Sequence, residues 1–169
     1  EIMSIFFDDK TKKFYLHTKN SSYVFCVSDF DALEHLYYGK RIPDDDVKYI
    51  SNRQIYAHNA HESRESRVFS AATVGLEISP FNSGDFRTPS VVYDCDGKVD
   101  CNRLRYRSHT IYKGKKGIDG LPYSRESEET ESLEVVLSDD ENTIEWTLCY
   151  SVYASTDVIT RSQNIKNNG

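Results

Sequence analysis

A strict alternation of side chains over residues 143–153 constrains the fold of this chain more than any other feature. Every second position is apolar, with polar or small residues between; the apolar positions are Ile144, Trp146, Leu148, Tyr150 and Val152. A period of two residues is typical of a β-strand with one buried face and one wetter face. Residues 133–137 alternate in the same way, and the polar run 138–142 is typical of a turn. We therefore predict a long antiparallel hairpin over residues 131–154.

Shorter strand patterns recur through most of the remaining chain. Apolar runs separated by polar turns predict further strands at residues 2–7, 14–16, 22–27, 33–38 and 157–167. Aromatic residues make up 12% of the chain, which also favours strands. Helix signals are poor, with at most one helical turn at residues 28–36, and the polar interval 43–66 is predicted to form a long irregular loop. The pattern predicts an all-β fold, either a sandwich or a barrel.

Length and charge limit the class of protein. The chain has 169 residues, enough for one domain, and a net charge of −6. Nucleic-acid binding is disfavoured because neutralising phosphates requires clustered Lys and Arg. No segment approaches the roughly 20 apolar residues of a membrane span. The first residues lack the basic start and apolar run of a signal peptide, which predicts a cytoplasmic protein.

Motifs for catalysis or metal binding are weak throughout the sequence. No serine lies in a GxSxG context, and His58 and His61 have HxxH spacing without an evident third ligand. Residues 94–100 have some likeness to a calcium loop, but Asp-Gly between two apolar runs more simply marks a hairpin turn. Cys95 and Cys101 flank that turn and could be bonded or free. We expect no metal and no cofactor.

Several sequence strings together resemble one family. They occur in this order and at close spacing: FYLHTKNSSYVF (14–25), LEHLYYGKRI (33–42), GDFRTP (84–89), LRYRSHTIYKGK (104–115), GLP (120–122) and DVITRSQNIKNNG (157–169). This set resembles the N-terminal β-domain of bacterial α-galactosidases of glycoside hydrolase family 36. The resemblance runs from about residue 2 to the end, except for residues 43–66.

The resemblance implies a fold and an activity for the parent protein. Such enzymes are similar in build, with an N-terminal β-supersandwich, a catalytic (β/α)₈ barrel and a small C-terminal β-domain. They are retaining hydrolases that remove terminal α-linked galactose from melibiose and raffinose-type sugars, using two aspartates in the barrel. Residues 1–169 would then be a truncated antiparallel β-sandwich of the β-supersandwich type. The barrel and the C-terminal domain are absent from this chain, so no catalytic residues are expected in it.

The resemblance also implies substrate contacts across an oligomer. Family members that form tetramers complete each pocket with a loop from a neighbour's N-terminal domain. The matching positions are Asn52, Arg53 and Arg67, where Asn52 replaces an aspartate of the family pattern. An amide can still hydrogen-bond a sugar hydroxyl, but without the charge. For Arg67, a role in bracing the loop is the alternative.

The GDFRTP string is predicted to be structural. We expect Asp85 to accept backbone or arginine hydrogen bonds in a tight turn after Gly84, and Phe86 to pack inward. Arg87 would brace a neighbouring strand or carboxylate, and Pro89 would fix the start of a strand at Ser90.

Three readings of function remain. The first is an accessory domain of an α-galactosidase, with the barrel of the same polypeptide and other subunits as partners. The second is a free-standing carbohydrate-binding domain that offers tyrosine rings to sugars, the candidates being Tyr37, Tyr38, Tyr56 and Tyr106. The third is a protein-interaction β-domain with a large apolar surface patch.

Overall fold

Two antiparallel sheets make up almost all of the regular structure. The computed structural model describes residues 4–50, 70–80, 84–92 and 103–169. The strands in these ranges are β1 (Ile5–Asp8), β2 (Lys13–His17), β3 (Ser21–Val27), β4 (Leu33–Lys40), β5 (Gly75–Leu76), β6 (Arg105–Lys113), β7 (Thr130–Ser138), β8 (Ile144–Tyr153) and β9 (Val158–Asn167). Helix is limited in the same ranges to two short 3₁₀ segments, Asp44–Tyr49 and Ala154–Thr156.

In each sheet, neighbouring strands follow one another in the sequence. One sheet has five strands in the order β1-β2-β3-β4-β5, and the other has four in the order β6-β7-β8-β9. The hairpin predicted over residues 131–154 is confirmed, because β7 and β8 pair from Thr130 opposite Tyr153 to Ser138 opposite Glu145. Such neighbour pairing needs only short turns, which the polar runs between the strands provide.

The core lies between the two sheets, as in a β-sandwich. The five-stranded sheet contributes Phe14, Leu16 and Phe25, and the four-stranded sheet contributes alternate residues of β7 and β8. Leu133, Leu148 and their neighbours on the same face are almost completely buried. The ring of Phe25 stacks on that of Tyr150, with centroids 5.3 Å apart. The all-β fold predicted from the strand pattern is therefore confirmed, and it is the antiparallel sandwich that the family resemblance implied.

The outer face of the five-stranded sheet carries a second, smaller apolar cluster. Tyr15 and Val24 project to this side, and the 3₁₀ helix Asp44–Tyr49 covers them with its buried Val47. Residues 44–49 were predicted to begin an irregular loop, so that expectation is wrong for this part of the chain. Three aspartates in the first turn favour a helical start, and the burial of Val47 fixes the turn against the sheet.

Polar contacts join the two sheets at their margins. Glu131 on β7 accepts hydrogen bonds from the backbone N–H groups of Ser4 and Ile5, both at 2.8 Å. Asp157, at the turn before β9, accepts from the Asn20 N–H at 2.7 Å and from the Thr18 hydroxyl at 2.8 Å. These contacts provide acceptors for backbone N–H groups that the strand ladders do not pair. No helix in the described ranges is long and apolar enough to cross a membrane.

The buried face of β7 gives a stability prediction. Replacing the fully buried Leu133 by Ala should lower the free energy of unfolding of the 169-residue chain by about 2–5 kcal/mol, because it leaves a cavity between the sheets. The same substitution at the exposed Leu121 should change it by less than about 0.5 kcal/mol. Urea titrations followed by tryptophan fluorescence measure both changes. Equal losses for the two variants would contradict the position of the core.

Candidate functional site

A buried carboxylate lies where the two sheets meet. Glu77 follows β5, and its side chain is only 1% exposed. Its oxygens accept hydrogen bonds from the hydroxyl of Tyr23 at 2.7 Å, from Nδ1 of His35 at 2.8 Å and from the hydroxyl of Tyr150 at 2.6 Å. The guanidinium of Arg161 lies 3.3 Å from the same carboxylate. Because Tyr23 and His35 belong to one sheet and Tyr150 and Arg161 to the other, Glu77 joins the two layers.

The electrostatics of this cluster favour an ionised Glu77. Burial alone would raise its pKa, but the hydrogen bonds from His35, Tyr150 and Tyr23 and the charge of Arg161 together lower the pKa below its ordinary value. Burial also raises the pKa of the Tyr150 hydroxyl, with the charge of Glu77 acting in the same direction. The tyrosines therefore stay protonated and act as donors. The guanidinium of Arg161 also lies 5.1 Å from the centre of the Tyr150 ring.

Sequence reasoning did not single out Glu77. A signal was available, because Glu77 is a lone acid in the otherwise apolar string VGLEI (74–78). A buried acid of this kind needs partners, but its partners lie on strands far away in the sequence. The cluster saturates the carboxylate with donors, which is the arrangement of a structural link between layers.

The GDFRTP string forms a tightly cross-linked turn. Gly84 has φ of +86°, a conformation that favours glycine. The carboxylate of Asp85 accepts from the Ser79 hydroxyl at 2.8 Å, from the Arg87 N–H at 3.0 Å and from Nε of Arg87 at 2.8 Å. The same guanidinium donates to the carbonyls of Ala71 at 3.0 Å and Val74 at 2.7 Å. The pair thus fastens this turn to the segment that leads into β5.

Two expectations for this turn are wrong. Phe86 does not pack inward but is 82% exposed, because the buried position is taken by the carboxylate of its neighbour Asp85. The strand expected to start at Ser90, after Pro89, is reduced within residues 84–92 to a single parallel bridge between Val91 and Pro80. Residues 93–102 lie outside the described part of the chain, together with Cys95 and Cys101.

An open cleft of about 600 Å³ lies at one end of the sandwich. His17, on its wall, is buried between the Ser22 hydroxyl at 3.0 Å and a carboxylate oxygen of Asp44 at 2.8 Å. Burial lowers the pKa of His17 and outweighs the opposing effect of Asp44. A neutral His17 donates from Nε2 to Asp44 and accepts at Nδ1 from Ser22.

Two of the charged groups that line this cleft, Arg41 and Glu131, hold the fold. Arg41 donates to the carbonyl of Thr18 at 2.8 Å, and Glu131 binds the two backbone amides at the start of β1. Retaining glycoside hydrolysis requires two carboxyl groups free to act on one bond, and Glu131 is not free in this sense. No group of three or more metal-binding side chains occurs among residues that the structure describes.

The residues expected to contact sugar lie mostly beyond what the structure describes. Asn52, Arg53 and Arg67 fall in residues 51–69, outside the described ranges, as do Tyr56, His58 and His61. Of the tyrosines considered for sugar stacking, Tyr38 on β4 is exposed and Tyr37 is half-buried. Tyr106 on β6 is also half-buried, and its hydroxyl is 2.7 Å from Nδ1 of His109. Tyr37 and Tyr38 therefore share β4, whereas Tyr106 lies in the other sheet.

Comparison with known proteins identifies the domain. Residues 31–169 match the glycosyl hydrolase family 36 N-terminal domain. The chain belongs to this family. The family 36 N-terminal domain described here is 34% identical to the α-galactosidase AgaA of Geobacillus stearothermophilus over 169 residues, which is 99% of this chain and 23% of that enzyme. It is 35% identical to the α-galactosidase Mel36A of Lactobacillus acidophilus over 167 residues, 96% of this chain and 23% of that enzyme.

A solved structure confirms the fold of this family 36 domain. The chain is similar to the crystal structure of the α-galactosidase AgaB of Geobacillus stearothermophilus, with a TM-score of 0.90 and 33% identity. The match covers 99% of this chain and 23% of that one. The chain therefore spans about a quarter of the length of the relatives that it matches.

The Glu77 cluster gives a pH-dependent prediction. Glu77→Gln keeps the volume but removes the charge, so it should destabilise the chain at pH 7 by about 3–5 kcal/mol. Because the pKa of Glu77 is lowered in the folded state, its contribution is complete above the ordinary value of 4.5 and is lost as the pH falls through the folded-state pKa. The difference in the free energy of unfolding between wild type and variant should therefore become smaller below pH 4.5.

Urea unfolding at stepwise pH values measures this difference. The matched control is Glu129→Gln, a substitution at an exposed glutamate, which should change stability little at any pH. If the free energy of unfolding lost in Glu77→Gln stayed the same down to acid pH, the result would contradict an ionised Glu77 carboxylate that is held by hydrogen bonds.

Proposed function

We propose that this chain is the first part of the N-terminal accessory domain of an α-galactosidase. The full enzyme would hydrolyse terminal α-linked galactose from melibiose and raffinose-type oligosaccharides with retention. The observation that carries the proposal is the family match over residues 31–169, together with relatives four times as long that are α-galactosidases. A structure of AgaA from Geobacillus stearothermophilus, 34% identical over 94% of this chain, is in complex with raffinose, which supports the substrate class.

The chemistry of the described residues supports a scaffold role. Three carboxylates accept hydrogen bonds that connect separate segments of the sandwich, those of Glu77, Asp85 and Glu131. The barrel and its two catalytic aspartates would follow this domain in the same polypeptide. The domain would support that barrel and help to form an oligomer, by our proposal a tetramer.

The location of catalysis can be tested with two proteins. The 169-residue chain should show no turnover of a chromogenic aryl α-galactoside, whereas the full-length protein should hydrolyse it with retention of anomeric configuration, followed by ¹H NMR. Turnover by the 169-residue chain, or none by the full-length protein, would refute the proposal. Millimolar or tighter binding of raffinose to the chain alone would instead favour a carbohydrate-binding domain.

The residues proposed to reach a neighbouring pocket are Asn52, Arg53 and Arg67. Arg67→Ala in the full-length enzyme should raise KM for raffinose, because a charge-assisted hydrogen bond to a sugar hydroxyl is worth about 1.5–3 kcal/mol. The change in kcat should be smaller, since the contact is to a part of the substrate away from the reacting bond. Arg64→Ala, three residues away, is the control and should leave both constants unchanged. Unaltered kinetics for Arg67→Ala would leave loop bracing as its role.

A further inference from the structure

Phe86 is the most exposed large apolar side chain in the part of the chain that the structure describes, at 82%. Burial of such a ring is favoured over leaving it in water. Single exposed apolar residues are common on protein surfaces and need no special explanation. The feature that sets Phe86 apart is the turn that carries it.

Both neighbours of Phe86 are fixed by hydrogen bonds, and the one between Ser79 and Asp85 is buried. The carboxylate of Asp85 is 2% exposed and is held by Ser79 and by both the backbone and the guanidinium of Arg87. Arg87 in turn donates to the carbonyls of Ala71 and Val74. The backbone on either side of the ring is therefore already ordered in the unbound protein. This order reduces the conformational entropy that is lost on binding.

The charges beside the ring are already compensated. The carboxylate of Asp85 is paired with the guanidinium of Arg87 at 2.8 Å. Covering this ion pair would therefore leave neither of its two charges buried without a partner, an arrangement that is otherwise costly. An aromatic ring on a fixed turn, beside a compensated ion pair, is suited to act as a binding hot spot.

We propose that Phe86 is a docking anchor that inserts into an apolar pocket of the later part of the same polypeptide. This inference rests on the proposed function, because it requires a longer enzyme of which this chain is the first part. The chain spans 23% of AgaA, so most of such an enzyme lies outside these 169 residues.

The size of the surface favours a partner on the same chain over a second copy. A stable contact between separate proteins buries about 1,200–2,000 Å², whereas one aromatic side chain buries only about 150–250 Å². The other exposed large apolar residues in the described ranges are spread over different elements, such as Tyr38 on β4, Tyr49 on the 3₁₀ helix and Ile165 on β9. A covalently linked partner is present at a millimolar effective concentration, so a small contact suffices.

Thiol labelling in the full-length enzyme tests the proposal. The Phe86→Cys variant should react with a maleimide at least about tenfold more slowly than the Tyr49→Cys control, the factor that an opening free energy of about 1.4 kcal/mol produces. Tyr49 is a suitable control because it is also highly exposed, at 76%, but lies on a different element. Peptide mass spectrometry separates the introduced thiols from the four native cysteines.

Each labelling result either supports or overturns the docking of Phe86. Slow labelling of Phe86→Cys that persists on dilution to the lowest measurable concentration supports docking within one chain. Labelling as fast as in the control overturns the proposal, and so does protection that disappears on dilution, because a second copy would then be the occupant. If Phe86→Cys fails to fold, hydroxyl-radical footprinting of the wild-type enzyme reports the protection of the Phe86 ring directly.

Failure of this inference is distinguishable from failure of the proposed function. Turnover of an aryl α-galactoside is measured on the same labelled samples. An active enzyme with a freely reactive Phe86→Cys thiol would retain the function and reject the anchor. An inactive full-length wild type would reject the function, whatever the labelling rate.

Discussion

The carboxylate of Glu77 is the interaction on which the joining of the two layers depends. Burying a charge costs several kcal/mol unless it is paired and hydrogen-bonded. Here the cost is offset by Tyr23 and His35 from one sheet and by Tyr150 and Arg161 from the other. Apolar side chains pack in many relative orientations, but these donors reach one carboxylate only when the sheets take one alignment. The cluster therefore adds a specific geometry to the non-directional attraction of the core.

A common pattern connects three of the buried or partly buried acidic residues. Glu77 joins the sheets, Asp85 closes the GDFRTP turn and Glu131 holds the start of β1. An acid that is saturated with fixed donors is a poor proton donor or nucleophile, because its lone pairs are already used. This pattern supports the scaffold role proposed above.

Sequence predicted the strands well because their signal is local. Alternation in β8 follows directly from the pleat of a strand with one buried face, and Trp146, Leu148 and Tyr150 are buried as that rule requires. The resemblance in six short strings predicted the family, which the match over residues 31–169 confirms.

Features that depend on distant contacts were not predicted correctly. Phe86 was expected inside because it is apolar, but the burial of Asp85 depends on Ser79 and on the route of Arg87 to the carbonyls of Ala71 and Val74. The 3₁₀ helix Asp44–Tyr49 likewise depends on the sheet face that Val47 covers. The roles of Asn52, Arg53 and Arg67 remain predictions, because residues 51–69 lie outside the described ranges.

The most direct test of this account is the protonation of Glu77 itself. Titration of the side-chain ¹³C carboxyl resonance of Glu77 by NMR reports its charge in the folded protein, without reference to unfolding. The account predicts a titration midpoint below the ordinary value of 4.5. A midpoint at or above that value would show that burial outweighs the three hydrogen bonds and the charge of Arg161, and would contradict an ionised link between the two sheets.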